Sequence, residues 1–306
     1  MTEIKISAKR VVFTTFAVDA LDILLNGAIF IITGSVVMLA ELLQGLADFA
    51  SSGLLLVGLT KSKGRPDKNY PFGRGKEAFF WALLSALVMI TLAAGFSFYF
   101  GLVRFLDPEP VENINLAYAI LGFTTITNGY SFSLSFRRLL GPKDPGRIVE
   151  IFMETPLAET KNAFASDLMG MAAAVFGLLA LGLYQLTGEI RFDAIGAMAI
   201  GVLLALLAAT LIRGLRDFLV GRRAPIKVEG KIRKAALAVP QVLEVLDLRT
   251  MQIGPDRILV NMEVHIRGRL TTGRIEKLID EIKKKVQEEN PSVHHIQVEL
   301  ETPEPE

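Results

Sequence analysis

Residues 35–59 read SVVMLAELLQGLADFASSGLLLVGL, an apolar run broken by three polar side chains. A helix needs about 20 apolar residues to cross the hydrocarbon core of a membrane. Glu41, Gln44 and Asp48 are spaced by three and four residues, which places them on one helical face. An ionisable side chain at membrane depth costs at least about 2.5–3.5 kcal/mol on insertion scales, so function is its default interpretation. The stretch predicts a membrane helix with a functional polar face.

Five other stretches have the length of a membrane span, and the fourth of the six is weaker because it is rich in Thr and Ser. The six predicted spans are Val11–Thr33, Ser35–Leu59, Ala78–Val103, Ile114–Phe136, Asn162–Leu186 and Asp193–Leu215. They predict an all-α six-helix transmembrane bundle in a multi-pass integral membrane protein that contacts lipid.

Basic residues are concentrated at alternate ends of the predicted spans, which indicates orientation. They occur before the first span, after the second, after the fourth and after the sixth, for example at Lys5, Lys61, Arg137 and Arg216. All these segments lie on one side of a six-span topology. The pattern therefore predicts that both termini are cytoplasmic.

Charge density divides the chain near Arg222. From Arg222 onward 34% of residues are charged, against 16% before it. We therefore predict a transmembrane domain over residues 1–221 and a polar domain over 222–306. Periodicity in the second segment predicts the order α-β-β-α-β, a small two-layer α+β domain. Its predicted elements are Val228–Ala238, Val242–Gln252, Ile258–Ile266, Thr271–Glu289 and His295–Glu301.

Composition excludes several classes of function. A net charge of +1 leaves no basic excess for a nucleic-acid partner. The chain has no Cys, and its three His lie at or beyond residue 265, so no thiolate or imidazole is available in the apolar body. No nucleophilic triad, zinc-peptidase His pair or phosphate-binding glycine loop is present, so we expect neither an enzyme nor an organic cofactor.

Two carboxylates on two different spans could form an oxygen-rich cation site. Asp48 lies in the second span, and Asp167 lies about one turn inside the fifth, preceded by Asn162 and Ser166. In the alternative interpretation, Gln44 and Asn162 join helices by hydrogen bonds while the two acids cap helices or reach the interface. Both interpretations stay open at this point.

The first span also carries polar residues on one face, because Asp19, Asp22 and Asn26 are spaced by three and four. They could form a proton or ion route or bind metal directly. The stronger interpretation is that they pair with basic or hydroxyl side chains elsewhere in the bundle.

Several motifs together resemble the cation diffusion facilitator family over essentially the whole chain. The second span has the family's Gly-Ser start at Gly34 and its Asp at Asp48. Residues 70–77, YPFGRGKE, are similar to the family's HPFGHGKE stretch, and Asp167 and Asp193 fall at its fifth- and sixth-span acids. The C-terminal segment resembles the family's cytoplasmic, dimerising, ferredoxin-like domain.

The resemblance implies a homodimeric exporter of divalent cations, usually in exchange for protons. It implies a transport site with two residues from the second span and two from the fifth. The matching positions are Gln44, Asp48, Ala163 and Asp167. Ala163 cannot bind metal, and Asn162 lies about 100° around the helix from it, so Asn162 could contribute only after a rotation or register change.

Other metal sites implied by the resemblance have also changed. The loop site would match Asp67, Tyr70 and Arg74, where two usual His are replaced, so we expect it to be lost. In the cytoplasmic domain, His265, Glu299 and Glu301 are candidate ligands, with His294 and His295 nearby.

A transport site made of carboxylate and amide oxygens favours Mn²⁺ or Fe²⁺ over Zn²⁺, because zinc prefers nitrogen and sulfur ligands. We therefore expect a divalent metal as the transported substrate, with Mn²⁺ or Fe²⁺ preferred. The loss of a ligand at Ala163 leaves an alternative of another class, a dimeric membrane scaffold or metal-responsive partner that no longer transports.

Overall fold

The computed structural model describes residues 8–141, 144–268 and 270–303, and leaves undescribed the side chains of residues 8–19, 21, 158 and 159. The chain forms two compact units. The first comprises the residues up to Val57 together with Trp81–Met153 and Ala158–Gly214. The second comprises Gly58–Phe80, Glu154–Leu157 and the residues from Leu215 onward.

Eight α-helices precede the C-terminal elements in the described residues. They are α1 (Ala8–Thr33), α2 (Val36–Ser62), α3 (Glu77–Val88), α4 (Ser97–Leu106), α5 (Ile114–Leu140), α6 (Ile148–Glu154), α7 (Ala158–Thr187) and α8 (Arg191–Val220). A π-helical segment, Met89–Phe96, joins α3 to α4, and a 3₁₀ turn, Pro145–Arg147, precedes α6. A helix therefore lies at each of the six predicted spans, with α3 and α4 forming one interrupted span.

Four of these helical segments are long and apolar enough to cross a membrane, judged over the described residues. They are Val36–Ser62, Glu77–Leu106, Thr160–Thr187 and Arg191–Val220. The part of α1 from Asp22 to Thr33 is a shorter apolar helix. In α5 the Thr, Ser and Asn side chains lower the apolar character, as the sequence indicates.

The start of α2 is fixed by a carboxylate from α8. The chain turns sharply between α1 and α2 at Gly34, whose φ of 65° favours glycine. Asp193 is 1% exposed and accepts hydrogen bonds from the Ser35 hydroxyl (2.5 Å) and from the backbone N–H groups of Val36 (2.8 Å) and Val37 (3.2 Å). Ser35 Oγ accepts from the Met38 N–H (3.4 Å), so the first-turn donors of α2 have acceptors.

Small residues let helices of the first unit approach closely. At Gly201 of α8, a Cβ would lie 2.8 Å from the Ala94 carbonyl oxygen and from the Phe98 nitrogen, so α8 touches the backbone of the third span. At Gly177 of α7, a Cβ would lie 2.7 Å from a Val37 methyl group. These contacts fix the positions of α2, α7 and α8 and leave little room for larger side chains.

The C-terminal part of the second unit is an α+β fold with a three-stranded sheet. Its elements are α9 (Ile226–Leu237), β1 (Val242–Gly254), β2 (Arg257–Ile266), α10 (Thr272–Glu289) and β3 (Val293–Leu300). The sheet order is β1-β2-β3, antiparallel between β1 and β2 and parallel between β2 and β3. Ile232, Val260 and Ile282 are fully buried in its core. The predicted order α-β-β-α-β is confirmed, and the predicted bounds lie within two residues of the observed ones.

The segment between α2 and α3, together with the first residues of α3, packs within the second unit. The rings of Phe79, in α3, and Phe218 stack at 5.1 Å between centroids, and Lys76 Nζ donates to the Leu219 carbonyl (3.2 Å). Gly75 lies so close to Ile253 that a Cβ would collide with the Ile253 carbonyl oxygen. Backbone contact of this kind accounts for glycine at position 75.

Candidate metal site between the membrane helices

A cavity of about 550 Å³ lies inside the first unit, and α1, α2, α5 and α7 supply its walls. Its polar and charged lining residues are Asp22, Glu41, Gln44, Asp48, Ser52, Thr127, Asn128, Ser131, Ser135, Arg138, Thr160, Asn162, Ser166 and Asp167. The cavity thus brings together Asp48 and Asp167, the two acids that the sequence predicts as metal ligands. The helical face predicted for Glu41, Gln44 and Asp48 is the face that lines it.

Asp48 is held by donors from two helices. Gln44 lies one turn before Asp48 on α2, and its Nε2 donates to Asp48 Oδ2 (2.9 Å). The Ser166 hydroxyl of α7 donates to Asp48 Oδ1 in a short hydrogen bond. Both donors are neutral, so they orient the carboxylate without adding charge that would repel a cation.

Asp167 is the second acid of the cavity and lies one residue after Ser166. Its side chain is partly buried, and the Ser135 hydroxyl of α5 lies within hydrogen-bonding reach of it. The α5 wall adds further neutral oxygens at Thr127, Asn128 and Ser131. The sequence contained a signal for this wall in the Thr, Ser and Asn content of the fourth span, but it did not identify these residues as part of the site.

Asn162 and Ala163 both line the cavity, so Asn162 reaches the wall without a change of helix register. Asn162 is 2% exposed, and its Oδ1 accepts a hydrogen bond from the Ser85 hydroxyl (3.2 Å). Ala163 supplies no donor atom. On the α7 side, the candidate ligands are therefore Asp167 and the Asn162 amide.

The polar face of α1 reaches the same cavity in part. Asp22 lines the cavity, and Asn26, one turn later on α1, is fully buried with neither amide atom hydrogen-bonded to another described residue. The side chain of Asp19, the third predicted member of this face, lies outside the description.

The side-chain oxygens that line the cavity limit which metal ions it could bind. Among the described residues, no group of three or more His, Asp or Glu side chains is placed to hold a metal ion. Because Gln44 turns its amide nitrogen toward Asp48, a cation between Asp48 and Asp167 would be completed by neutral oxygens from Asn162, hydroxyl groups or water. Oxygen donors of this kind suit Mn²⁺ and Mg²⁺, and they suit Zn²⁺ less well.

At the positions that match the family's loop site, the acid Asp67 is paired with Arg74. Arg74 Nη2 donates to Asp67 Oδ2 (3.0 Å), and the guanidinium carbon lies 4.3 Å from the Tyr70 ring centroid. The Arg74 hydrogen bond, followed by the backbone N–H of Tyr70, holds the pKa of the Asp67 carboxyl below its usual range. This arrangement supports the expectation that the loop site is lost.

The candidate ligands His265, Glu299 and Glu301 of the C-terminal domain lie at the carboxyl ends of the paired strands β2 and β3. His265 Nδ1 lies 3.2 Å from the Glu301 carbonyl oxygen rather than from its carboxylate. Glu299 accepts a hydrogen bond from Gln297 (3.0 Å) and is exposed. His295 contacts the Phe72 ring edge-on at 5.3 Å. A metal site here stays a prediction.

Two family models match the chain. The model described as the cation efflux transmembrane domain matches residues 12–219, and the model described as the cation efflux protein cytoplasmic domain matches residues 225–303. Together they extend over both units of the structure.

Curated relatives match over most of this chain. The mitochondrial proton-coupled zinc antiporter SLC30A9 of Homo sapiens is 25% identical over 265 residues, covering 86% of this chain and 47% of that protein. The chain therefore spans about half the length of that relative. The cation-efflux pump FieF of Cronobacter sakazakii is 30% identical over 227 residues, covering 74% of this chain and 71% of the pump. Among solved structures, a MamM CTD variant in a nickel form aligns with 26% of this chain and 98% of its own at 24% identity, with a TM-score of 0.24.

Proposed function

Because the chain belongs to the cation efflux family, we propose that it carries a divalent metal cation across a membrane in exchange for protons. Family membership makes it a transporter rather than an enzyme. The metal would bind between Asp48 and Asp167, and the observation that carries this proposal is that both carboxylates line one cavity inside the first unit.

Exchange for protons follows from the kind of ligand present. Binding one divalent cation and releasing two protons leaves the charge of the cavity unchanged, and a charge buried in a membrane protein is costly unless it is balanced. Carboxylates can carry both ions because each binds either a metal or a proton. No His lies before residue 265, so carboxylates are the groups in the first unit that would carry these protons.

The preferred metal would be Mn²⁺ or Fe²⁺, because the cavity offers carboxylate, amide and hydroxyl oxygens. The mitochondrial relatives are named as zinc antiporters, so zinc is the necessary competitor. In proteoliposomes loaded with a metal-sensitive dye, we expect Mn²⁺ uptake to fall by less than half when equimolar Zn²⁺ is added. Loss of half or more of the Mn²⁺ uptake would contradict this preference.

The C-terminal domain would hold two copies together. The match to the cytoplasmic-domain family model supports a homodimer formed through residues 222–306, with residues 1–221 as the transport domain. Both termini would then be cytoplasmic, as the distribution of basic residues predicts.

Flux in proteoliposomes tests transport directly. Asp48→Asn and Asp167→Asn each remove one charge with little change in volume, and we expect each to abolish Mn²⁺ uptake. Asp107→Asn is the matched control, because Asp107 is exposed in the segment after α4. Uptake at the control rate in both cavity variants would contradict the proposed site.

A second candidate is a membrane scaffold of the same fold that no longer transports. The observation that favours it is Ala163, which lines the cavity without a ligand atom. A scaffold would show no metal-dependent flux in the unmodified protein, whereas the transporter shows flux that depends on Asp48 and Asp167.

A further inference from the structure

The metal-transport cavity contains two acids that the proposed site does not use. Asp22 of α1 and Glu41 of α2 both line it. Asp22 Oδ2 lies 3.6 Å from the position a Cβ would occupy on Gly45, so Asp22 faces α2 between Glu41 and Asp48. The two acids are close enough to interact electrostatically.

Three buried oxygens at this position, on Glu41, Gln44 and Asn26, lack hydrogen-bond partners among the described residues, as does the Asn26 amide nitrogen. Glu41 is 2% exposed and Gln44 is 3% exposed. The Oε1 atom of each has no partner among the described residues, although Gln44 Nε2 donates to Asp48. Buried polar atoms are nearly always paired, so unpaired acceptors that line a cavity indicate a missing positive group.

Of the α1 and α2 side chains that the structure describes, no basic one lines this cavity. Arg138 of α5 also lines the cavity. The positions of two other α5 residues show which end of the cavity it occupies, because Asn128 lies against Gly170 and Ser135 lies beside Asp167. Arg138 is one turn beyond Ser135 and therefore lies toward the Asp167 end. Among the described side chains of α1 and α2, none therefore supplies a positive group beside Glu41.

We propose that the Asp22 and Glu41 carboxylates and the side-chain amide oxygen of Gln44 form a second cation site, which binds a hard divalent cation such as Mn²⁺. The Asn26 amide lies beside Asp22 and adds a further oxygen. This inference rests on the proposed function, because the second site would bind the same class of divalent cation that the protein is proposed to transport. Glu41 and Asp48 are seven residues apart, about 10 Å along α2, so the cation has two positions on one helical face.

The side chain of Gln44 connects the two positions. Its nitrogen donates to Asp48 of the first site, and its oxygen faces the second. A pathway with two adjacent binding positions allows a cation to enter readily and still leave, because occupancy of one position weakens binding at the other.

Stoichiometry of Mn²⁺ binding tests this inference on the purified full chain. Equilibrium dialysis followed by metal analysis would compare the wild type with Glu41→Gln, Asp22→Asn and Asp48→Asn. We expect each variant to bind one Mn²⁺ fewer per protomer, and the double variant Glu41→Gln/Asp48→Asn to bind two fewer. The control Asp107→Asn keeps the wild-type number.

Three results would overturn the second site. The first is wild-type Mn²⁺ stoichiometry in both Glu41→Gln and Asp22→Asn. The second is a loss of only one equivalent in the double variant, since the acids would then form one site. The third is unchanged metal binding with fewer protons released, since the acids would then carry protons.

Size-exclusion profiles and melting temperatures confirm folding, and Asp22→Asn provides a variant at a less buried position. Loss of flux in Asp48→Asn alongside any of these results leaves the proposed transport function standing.

Discussion

Replacing Asp193 tests how the first unit fixes the helix that carries Asp48. Asp193→Ala removes the carboxylate that accepts from the Ser35 hydroxyl and from two backbone N–H groups at the start of α2. The Ser35 hydroxyl can rotate toward another acceptor, but the N–H groups of Val36 and Val37 cannot. The change therefore leaves two buried donors unpaired at the N-terminus of α2.

The magnitude follows from those two donors. An unpaired buried N–H costs about 1–3 kcal/mol, so Asp193→Ala destabilises the fold by about 2–6 kcal/mol. Asp193→Asn can keep the Oδ1 acceptor and turn its NH₂ group toward the single donor of Oδ2, the Val36 N–H. Oδ1 accepts from Ser35 and Val37, whereas Oδ2 accepts from Val36 alone. The Asn variant therefore loses about 1–3 kcal/mol, roughly half the cost of the Ala variant.

Thermal unfolding in detergent, followed by intrinsic fluorescence or circular dichroism, measures the order of stability. We expect the wild type to be most stable, followed by Asp193→Asn and then Asp193→Ala. Asp107→Ala serves as the surface control, with an expected effect within about 0.5 kcal/mol. Equal losses in the two Asp193 variants, or losses no larger than the control, would refute the reasoning.

Three further predictions concern the site, the packing and the coupling. Ser166→Ala removes a donor that orients Asp48, so we expect Mn²⁺ affinity to fall about 10–100-fold, measured by half-saturation of flux, and an unchanged value would contradict the role of Ser166. Gly196→Ala places a methyl group against the Ala180 side chain, and overpacking of this kind costs about 1–3 kcal/mol, seen as a lower melting temperature; wild-type stability would contradict the close contact. Metal entry into proteoliposomes drives protons out, so a trapped dye should report a rise in lumenal pH, and a steady pH would contradict proton exchange.

The sequence predicted the six spans and the C-terminal elements because each has a local pattern, whereas the short helix α6 was not predicted. Apolar length marked the six spans, and alternation marked the three strands within two residues of their observed ends. The π-helical segment Met89–Phe96 was not predicted, because its residues are as apolar as those of a regular helix.

The candidate site was predicted in part. The spacing of Gln44 and Asp48 placed them on one face, and the structure shows that face lining the cavity. The hydrogen bond from Ser166 to Asp48 joins residues 118 positions apart, and no local pattern reports such a contact. From the 100° rotation per residue of an ideal helix, we expected Asn162 to point away from the site. The cavity is wide enough for both Asn162 and Ala163 to line it.

Contacts between distant segments also explain what the sequence missed outside the site. Asp193 accepts from residues more than 150 positions earlier, and residues 58–80 group with the C-terminal residues. Lys161 is fully buried, with Nζ donating to the Met153 carbonyl (3.2 Å). A lysine near a predicted span end reads from sequence as an interfacial residue.

The most direct test of the account is the position of the metal. Anomalous scattering at the manganese edge from crystals of the full chain grown with Mn²⁺ would locate it without relying on flux. We expect an anomalous peak bonded to carboxylate oxygens of both Asp48 and Asp167. Anomalous peaks confined to other parts of the protein, with none between these two carboxylates, would contradict it.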